Sequence, residues 1–150
     1  MNILVLEDDP ANLQIFAELL SSKGHNVWGA ATAEEALKAG DCEERLDLFV
    51  SDVVLNGATS GIQVAAALAQ KRKGLPVLFV SGSPPEFWDK NDQAILRLLT
   101  PVTMNILEKP FLPADFEAAV ERLLNPNPSL SKYPATRSFV TASAEWLRRR

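Results

Sequence analysis

Leu48-Phe49-Val50-Ser51-Asp52 is a short, mostly apolar stretch that ends in a carboxylate. Asp47 precedes it, and Val53-Val54-Leu55 leads from it into the turn residues Asn56-Gly57. A mostly apolar run of this length, closed by turn residues, is typical of a parallel strand that is covered on both faces. Open α/β sheets bind ligands at the carboxyl ends of such strands, so the sequence predicts Asp52 at a ligand site.

Strand-like and helix-like patterns alternate five times over residues 1–125. The other strands are predicted at residues 2–6, 26–30, 76–81 and 104–108. Helices are predicted from residue 10 to a stop at Gly24, from 33 to 39 with a stop at Gly40, from 61 to 73, within 86–100, and from 113 to 124. This alternation predicts an α/β fold in which helices cover both faces of a parallel sheet through right-handed crossovers. For five units of this size, we expect the flavodoxin-like strand order 2-1-3-4-5.

Composition narrows the classes of function. Residues 1–125 hold 10 basic and 18 acidic side chains, which argues against direct binding of nucleic acid. The lone Cys42 cannot form an internal disulfide, which suits a reducing compartment. No apolar run approaches the roughly 18–20 residues of a membrane span, and the N-terminus has no basic region of a secretory signal. We therefore expect a cytoplasmic protein with no membrane contact.

The last 25 residues, 126–150, differ from the rest of the chain. They hold five basic side chains and one acidic side chain. The segment reads as an irregular C-terminal tail with a possible short helix at 142–150, and it is too short for an independent domain. The sequence therefore predicts one domain at 1–125 and no DNA-binding output domain after it.

Chemically capable side chains follow four of the predicted strands: Glu7, Asp8, Asp52, Ser81 and Lys109. The proposed strand order gathers them in one crevice. Three neighbouring carboxylates should raise one another's pKa values, and a divalent cation removes that penalty. Oxygen ligands without His or Cys favour Mg²⁺ or Mn²⁺. Lys109 can neutralise Asp52 and Ser81 can donate its hydroxyl, an inventory that suits in-line phosphoryl transfer to a carboxylate.

Four stretches in this order resemble the receiver domain of response regulators in two-component signalling, either single-domain or split from a hybrid kinase. They are residues 3–10 (Ile-Leu-Val-Leu-Glu-Asp-Asp-Pro), 47–52 (Asp-Leu-Phe-Val-Ser-Asp), 76–82 (Pro-Val-Leu-Phe-Val-Ser-Gly) and 109–111 (Lys-Pro-Phe). The resemblance covers residues 1–125. It implies a protein that takes a phosphoryl group from a histidine kinase or phosphotransfer protein. It implies no enzymatic activity beyond Mg²⁺-dependent self-phosphorylation and autodephosphorylation.

The resemblance also implies a role for each matching position. Asp52 is the phosphoacceptor, and Ser81 and Lys109 bind the phosphoryl oxygens, Ser81 as the switch hydroxyl. The implied metal ligands are Glu7, Asp8, Asp52 and the backbone carbonyl of Val54. The peptide bond between Lys109 and Pro110 is expected to be cis.

Three features depart from the family pattern. Ile106 stands where many receivers carry the aromatic residue that swings inward on activation. Lys109 lies 28 positions after Ser81, a longer spacing than the family pattern has, and the loop at 55–61 is unusually polar. Trp28 and Trp88 are assigned to packing or to a local contact surface.

The sequence leaves two functions open. The leading one is a phosphorylation-controlled switch that contacts a downstream protein, passes the group along a relay, or self-associates. The contact surface would be the extended region 82–103, continuing to 125. The alternative is a receiver-like binding module that acts without phosphorylation. An aspartyl phosphatase would carry a second acid where Val54 stands, and a flavodoxin-like electron carrier would need a hydroxyl-rich first loop.

Overall fold

The computed structural model describes residues 1–99 and 103–126. It contains a single five-stranded parallel sheet within that part of the chain. Nearly all of the predicted tail, from residue 127 onward, lies outside the described residues. The strands are β1 (Asn2–Leu6), β2 (Asn26–Ala30), β3 (Leu48–Asp52), β4 (Val77–Ser81) and β5 (Met104–Glu108).

The strand order is β2-β1-β3-β4-β5, so the predicted topology is confirmed. β3 lies at the centre and pairs with β1 on one side and β4 on the other. Its register places Ser51 beside Leu6 and Asp52 beside Val80. The carboxyl ends of β1, β3 and β4 therefore stop at the same edge of the sheet.

The central strands are buried on both faces, which explains why they read as continuous apolar runs. Leu48 and Val50 point into one core and Phe49 points into the other, because successive side chains of a strand alternate between faces. All three are at most 1% exposed. Burial of each such side chain contributes about 1.5–3 kcal/mol relative to an exposed position. The strand that carries Asp52 is therefore firmly fixed.

Within the described residues, five helices cover the sheet, two on one face and three on the other. The first core holds Phe16 and Phe116, which stack with their ring centroids 4.9 Å apart. The second core holds Ile62, Leu68 and Leu96. The helices are α1 (Pro10–Ser22), α2 (Ala33–Cys42), α3 (Gly61–Lys71), α4 (Lys90–Leu98) and α5 (Pro113–Leu124).

The prediction that α2 stops at Gly40 is wrong. The helix continues to Cys42, and Gly40 is buried inside it where α2 packs on α3. A Cβ at Gly40 would overlap Leu68 Cδ2. The glycine therefore allows a close approach between the helices, and tertiary packing overrides its low helix propensity.

The long connection between Ser81 and Lys109 begins with a short 3₁₀ turn at Pro85–Phe87 and then forms α4. Asp89 caps α4 by accepting a hydrogen bond from the backbone N–H of Asn91 at 2.8 Å. Leu98, on the same helix, is 81% exposed. Among the described residues, no helix combines the length and apolar character that crossing a membrane requires.

Candidate functional site

Three carboxylates meet at the carboxyl edge of the sheet. Glu7 and Asp8 directly follow β1, and Asp52 is the last residue of β3. One carboxylate oxygen from each lies within 4.8 Å of the others. The fold therefore brings together the three acidic side chains that the strand order predicts in one crevice.

Backbone N–H groups hold two of these carboxylates in place. Glu7 Oε1 accepts a hydrogen bond from the N–H of Asp9 at 3.0 Å, and Asp8 Oδ2 accepts one from the N–H of Asn56 at 2.7 Å. Asp9 itself caps α1, because its side chain accepts a hydrogen bond from the N–H of Asn12. Asp9 thus positions Glu7 through its backbone, while its side chain begins the helix.

Lys109 supplies the positive charge of the site. Its Nζ lies 3.0 Å from Asp52 Oδ2 and 3.5 Å from Glu7 Oε2. Burial disfavours the charged lysine, but the hydrogen bond and charge of Asp52, together with the charge of Glu7, outweigh it and raise the pKa of Lys109. Lys109 therefore remains protonated beside Asp52. The peptide bond that follows it, Lys109-Pro110, is cis.

Glu7 is the most buried acid of the cluster. Its side chain is 1% exposed, and burial raises its pKa from 4.5 to about 6. The N–H of Asp9 and the charge of Lys109 lower the pKa, whereas the charge of Asp52 raises it. The sequence predicts raised pKa values from mutual repulsion, but desolvation is the largest cause at Glu7.

The loop after β3 is fixed by the start of α3. The N–H of Gly61 donates to the carbonyl of Val53 at 3.0 Å. A Cβ on Gly61 would overlap the backbone carbonyl oxygen of Asp52 and the hydroxyl of Ser51. Only glycine fits this approach, so Gly61 supports the site, whereas the sequence pattern marks it only as a helix start. The side chain of Val54 is 69% exposed, and the metal-ligand role of its carbonyl stays a prediction.

Ser81 ends β4 with its hydroxyl turned to its own loop. Ser81 Oγ donates to the carbonyl of Ser83 at 2.9 Å and accepts from the N–H of Ser83 at 3.2 Å. It also accepts a hydrogen bond from Trp88 Nε1 at 3.2 Å. The sequence alone assigns Trp88 only to packing or a local contact surface. Because a buried indole N–H normally finds an acceptor, Trp88 could have been matched to the polar Ser81-Gly82-Ser83 segment just upstream.

Ile106 lies next to Phe79 in the β4–β5 register. It is partly buried against the same core cluster that contains Phe79 and Trp88. The aromatic side chain that hydrogen-bonds to the Ser81 hydroxyl is thus carried by the loop after β4, at Trp88, rather than by β5.

Comparisons with known proteins agree with this geometry. A family described as "Response regulator receiver domain" matches the chain over residues 3–121. The phyllosphere-induced regulator PhyR of Methylorubrum extorquens is 31% identical over 123 residues, which cover 81% of this chain and 43% of PhyR. The chain therefore spans less than half the length of PhyR.

Solved structures of receiver domains have the same fold. The response regulator receiver protein from Sinorhizobium medicae superposes with a TM-score of 0.70 at 27% identity, covering 83% of this chain and 94% of that one. The receiver domain from the hybrid histidine kinase CckA gives a TM-score of 0.66 at 28% identity, covering 83% and 100% of the two chains.

Proposed function

Because this chain belongs to the response regulator receiver domain family of two-component signalling, we propose that Asp52 accepts a phosphoryl group from a histidine kinase or phosphotransfer protein. The observation that supports the proposal is the environment of the Asp52 carboxylate. Its carboxylate ends a buried central strand, lies 3.0 Å from Lys109 Nζ, and belongs to a three-carboxylate cluster. Receiver domains are signalling modules rather than enzymes with a separate substrate, and the proposed role is a switch of this kind.

In the proposed reaction, an Asp52 carboxylate oxygen attacks phosphorus in line with the bond to the donor histidine. The new P–O bond forms as the P–N bond breaks, and the imidazole leaves with the electron pair. Lys109 stabilises the charge on a phosphoryl oxygen, because its ammonium already lies beside Asp52 Oδ2. Attack of water on phosphorus later breaks the acyl-phosphate P–O bond and regenerates the carboxylate with release of inorganic phosphate.

Glu7, Asp8 and Asp52 fit a divalent cation, and we propose Mg²⁺ or Mn²⁺ with the Val54 carbonyl as a further ligand. Three carboxylates face the single ammonium of Lys109 within the described part of the site, so negative charge is in excess. The donor set is oxygen only, which hard cations prefer. When bound, such a cation supplies charge neutralisation for phosphoryl transfer.

The phosphorylated domain is proposed to signal through the region 82–125, by contact with a downstream protein or by self-association. This region holds α4, β5 and α5, and it includes the exposed Leu98. The acidic balance of residues 1–125 supports a protein partner over nucleic acid. The one cysteine, Cys42, is free, which supports a reducing, cytoplasmic location.

Intact-mass analysis tests the proposal. Wild type, Asp52→Ala and the control Asp41→Ala are incubated with acetyl phosphate, with and without Mg²⁺. Asp41 is a matched control, because it is exposed in α2, away from the acidic cluster, where it pairs with Lys71 of α3. We expect wild type and Asp41→Ala to gain one phosphoryl group only with Mg²⁺, and Asp52→Ala to gain none.

Failure would take a specific form. If wild type gained no mass from acetyl phosphate or from a phosphorylated histidine phosphotransfer protein, the phosphoacceptor role would be wrong. The chain would then act as a receiver-like binding module without phosphorylation.

A further inference from the structure

The hydroxyl of Ser81 is fully engaged away from Asp52. Its proton is donated to the carbonyl of Ser83, and its oxygen accepts from the N–H of Ser83 and from the indole of Trp88. A serine hydroxyl has one donor and two acceptor positions, so all three are occupied. Ser81 must give up at least its bond to Ser83 before it can donate to a phosphoryl group on Asp52.

We propose that Trp88 is a positioning residue that holds Ser81 in this arrangement and transmits its release to α4. The inference rests on the proposed function, because it needs a phosphoryl group at Asp52. Ile106 stands where many receivers carry an aromatic residue that moves on activation, and it has no aromatic ring. The proposal gives the coupling between Ser81 and the neighbouring surface to Trp88 instead.

Trp88 is built into the core rather than lying on the surface. Its side chain is 5% exposed, and its ring packs edge-on against Phe79 with the centroids 6.5 Å apart. The indole N–H is shared between the carbonyl of Ser83 at 2.8 Å and Ser81 Oγ at 3.2 Å. One acceptor is the last residue of β4 and the other lies two residues later, so a change in the Ser81 hydroxyl directly alters the hydrogen bonding of the indole.

The backbone of Trp88 is tied in turn to α4. The side-chain amide of Gln93 donates hydrogen bonds to the backbone carbonyl of Trp88 at 2.8 Å and to the backbone carbonyl of Glu86 at 3.2 Å. Gln93 is 9% exposed and lies in the first turns of α4. The path from Ser81 to α4 thus consists of two consecutive hydrogen-bonded contacts through one buried residue.

A second, partly buried contact anchors the same end of α4. The hydroxyl of Ser60 donates to Asp92 Oδ1 at 2.6 Å, and Ser60 caps α3 directly after the Asp52 loop. Between these two anchors lies a cleft of about 240 Å³, lined by Ser60, Ser83, Trp88 and Asp92 among others. Trp88 lines this cleft, and we expect the indole to reorient toward it.

Phosphorylation of Asp52 offers the Ser81 hydroxyl a second acceptor that competes with the carbonyl of Ser83. The phosphoryl group is favoured, because a charged acceptor binds a hydroxyl more strongly than a neutral carbonyl does. When Ser81 turns to the phosphoryl oxygen, the indole loses its bond to Ser81 Oγ. The contact of Trp88 with Phe79 and its link to Gln93 then relax together, and the start of α4 moves with them.

The first test uses Trp88 as its own reporter, so the residue under study stays intact. In the Trp28→Phe/Trp146→Phe variant, the fluorescence emission of Trp88 is recorded before and after incubation with acetyl phosphate and Mg²⁺. The phosphorylated fraction of the same samples is measured by intact-mass spectrometry. We expect the emission maximum and intensity to change in proportion to the phosphorylated fraction. Trp88→Phe/Trp146→Phe protein, in which Trp28 on β2 is the reporter, should change little.

The two possible failures are distinguishable. Absence of a mass gain would count against the proposed function. A full mass gain with unchanged Trp88 emission would overturn the role of Trp88 while leaving the phosphoacceptor intact.

A second test measures the competition for Ser81. Trp88→Phe keeps an aromatic ring but removes the indole N–H, whereas Trp28→Phe makes the same change elsewhere. Loss of one neutral hydrogen bond, at a central value of about 1 kcal/mol, corresponds to about a fivefold change in an equilibrium. We expect Trp88→Phe to be phosphorylated by acetyl phosphate up to about fivefold faster than wild type, with Trp28→Phe unchanged. An unchanged or lower rate in Trp88→Phe would contradict the proposal.

Discussion

Replacing Gly61 by alanine should destabilise the protein more than the same change at Gly40 or Gly82. The added Cβ would overlap the backbone carbonyl oxygen of Asp52 and come within 2.9 Å of the carbonyl carbon. Backbone in a buried strand cannot move aside as a side-chain tip can. Overpacking costs about 1–3 kcal/mol, and this site belongs at the upper end. The better helix propensity of alanine offsets at most about 1 kcal/mol, so we expect a net loss of about 2 kcal/mol.

Urea and thermal unfolding of a glycine series would measure this effect. A loss of 2 kcal/mol corresponds to a melting temperature lower by about 8 °C for a domain of this size. Gly40→Ala meets only the tip of the Leu68 side chain, so its cost and its gain in helix propensity should nearly cancel. Gly82→Ala meets nothing within 4 Å and should be close to neutral. If Gly61→Ala unfolded within about 2 °C of wild type, the close packing of α3 on Asp52 would be wrong.

Three further variants probe the site. The pKa of Glu7 is about 6 in the folded protein and 4.5 for an ordinary Glu side chain, so its protonation stabilises the fold below pH 4.5, and this contribution is lost as the pH rises through 6. In metal-free buffer, the free energy of unfolding of wild type, measured in urea, should therefore fall by up to about 2 kcal/mol relative to Glu7→Gln over that pH range. Parallel pH profiles of the two proteins would contradict this. Lys109→Met should slow phosphorylation of Asp52 by acetyl phosphate at least about tenfold, because one stabilising charge is removed; an unchanged rate by intact mass would refute the role. A double-mutant cycle with Ser60→Ala and Asp92→Ala, each of which removes the hydrogen bond, should give a coupling of about 1.5 kcal/mol, and zero coupling would mean that their hydrogen bond does not anchor α4.

The strand order and the gathering of the acids could be predicted because they follow from general rules. Parallel strands connected by right-handed crossovers end at one edge of the sheet, so residues directly after them must meet. That reasoning places Glu7, Asp8, Asp52 and Lys109 together, although they are distant in sequence. It needs only the position of each residue at a strand end, which apolar runs reveal well.

The features that escaped prediction depend on contacts between elements. Glycine generally disfavours a helix, but Gly40 stays inside α2 here because Leu68 packs closely against it. Gly61 similarly depends on the carbonyl of Asp52. The hydroxyl of Ser81 donates to the carbonyl of Ser83 and accepts from the indole of Trp88, and both contacts depend on how the segment after β4 folds. Local sequence patterns carry no information about such distances.

Chemical trapping of the phosphorylated residue tests the central claim most directly. After incubation with acetyl phosphate and Mg²⁺, borohydride reduces an aspartyl phosphate to homoserine, and peptide mass spectrometry locates the changed residue. The account predicts homoserine at position 52 and an unchanged Asp8, Asp9 and Asp41. Homoserine at another aspartate, or none in protein that has gained a phosphoryl group, would contradict the assignment of Asp52 as the phosphoacceptor.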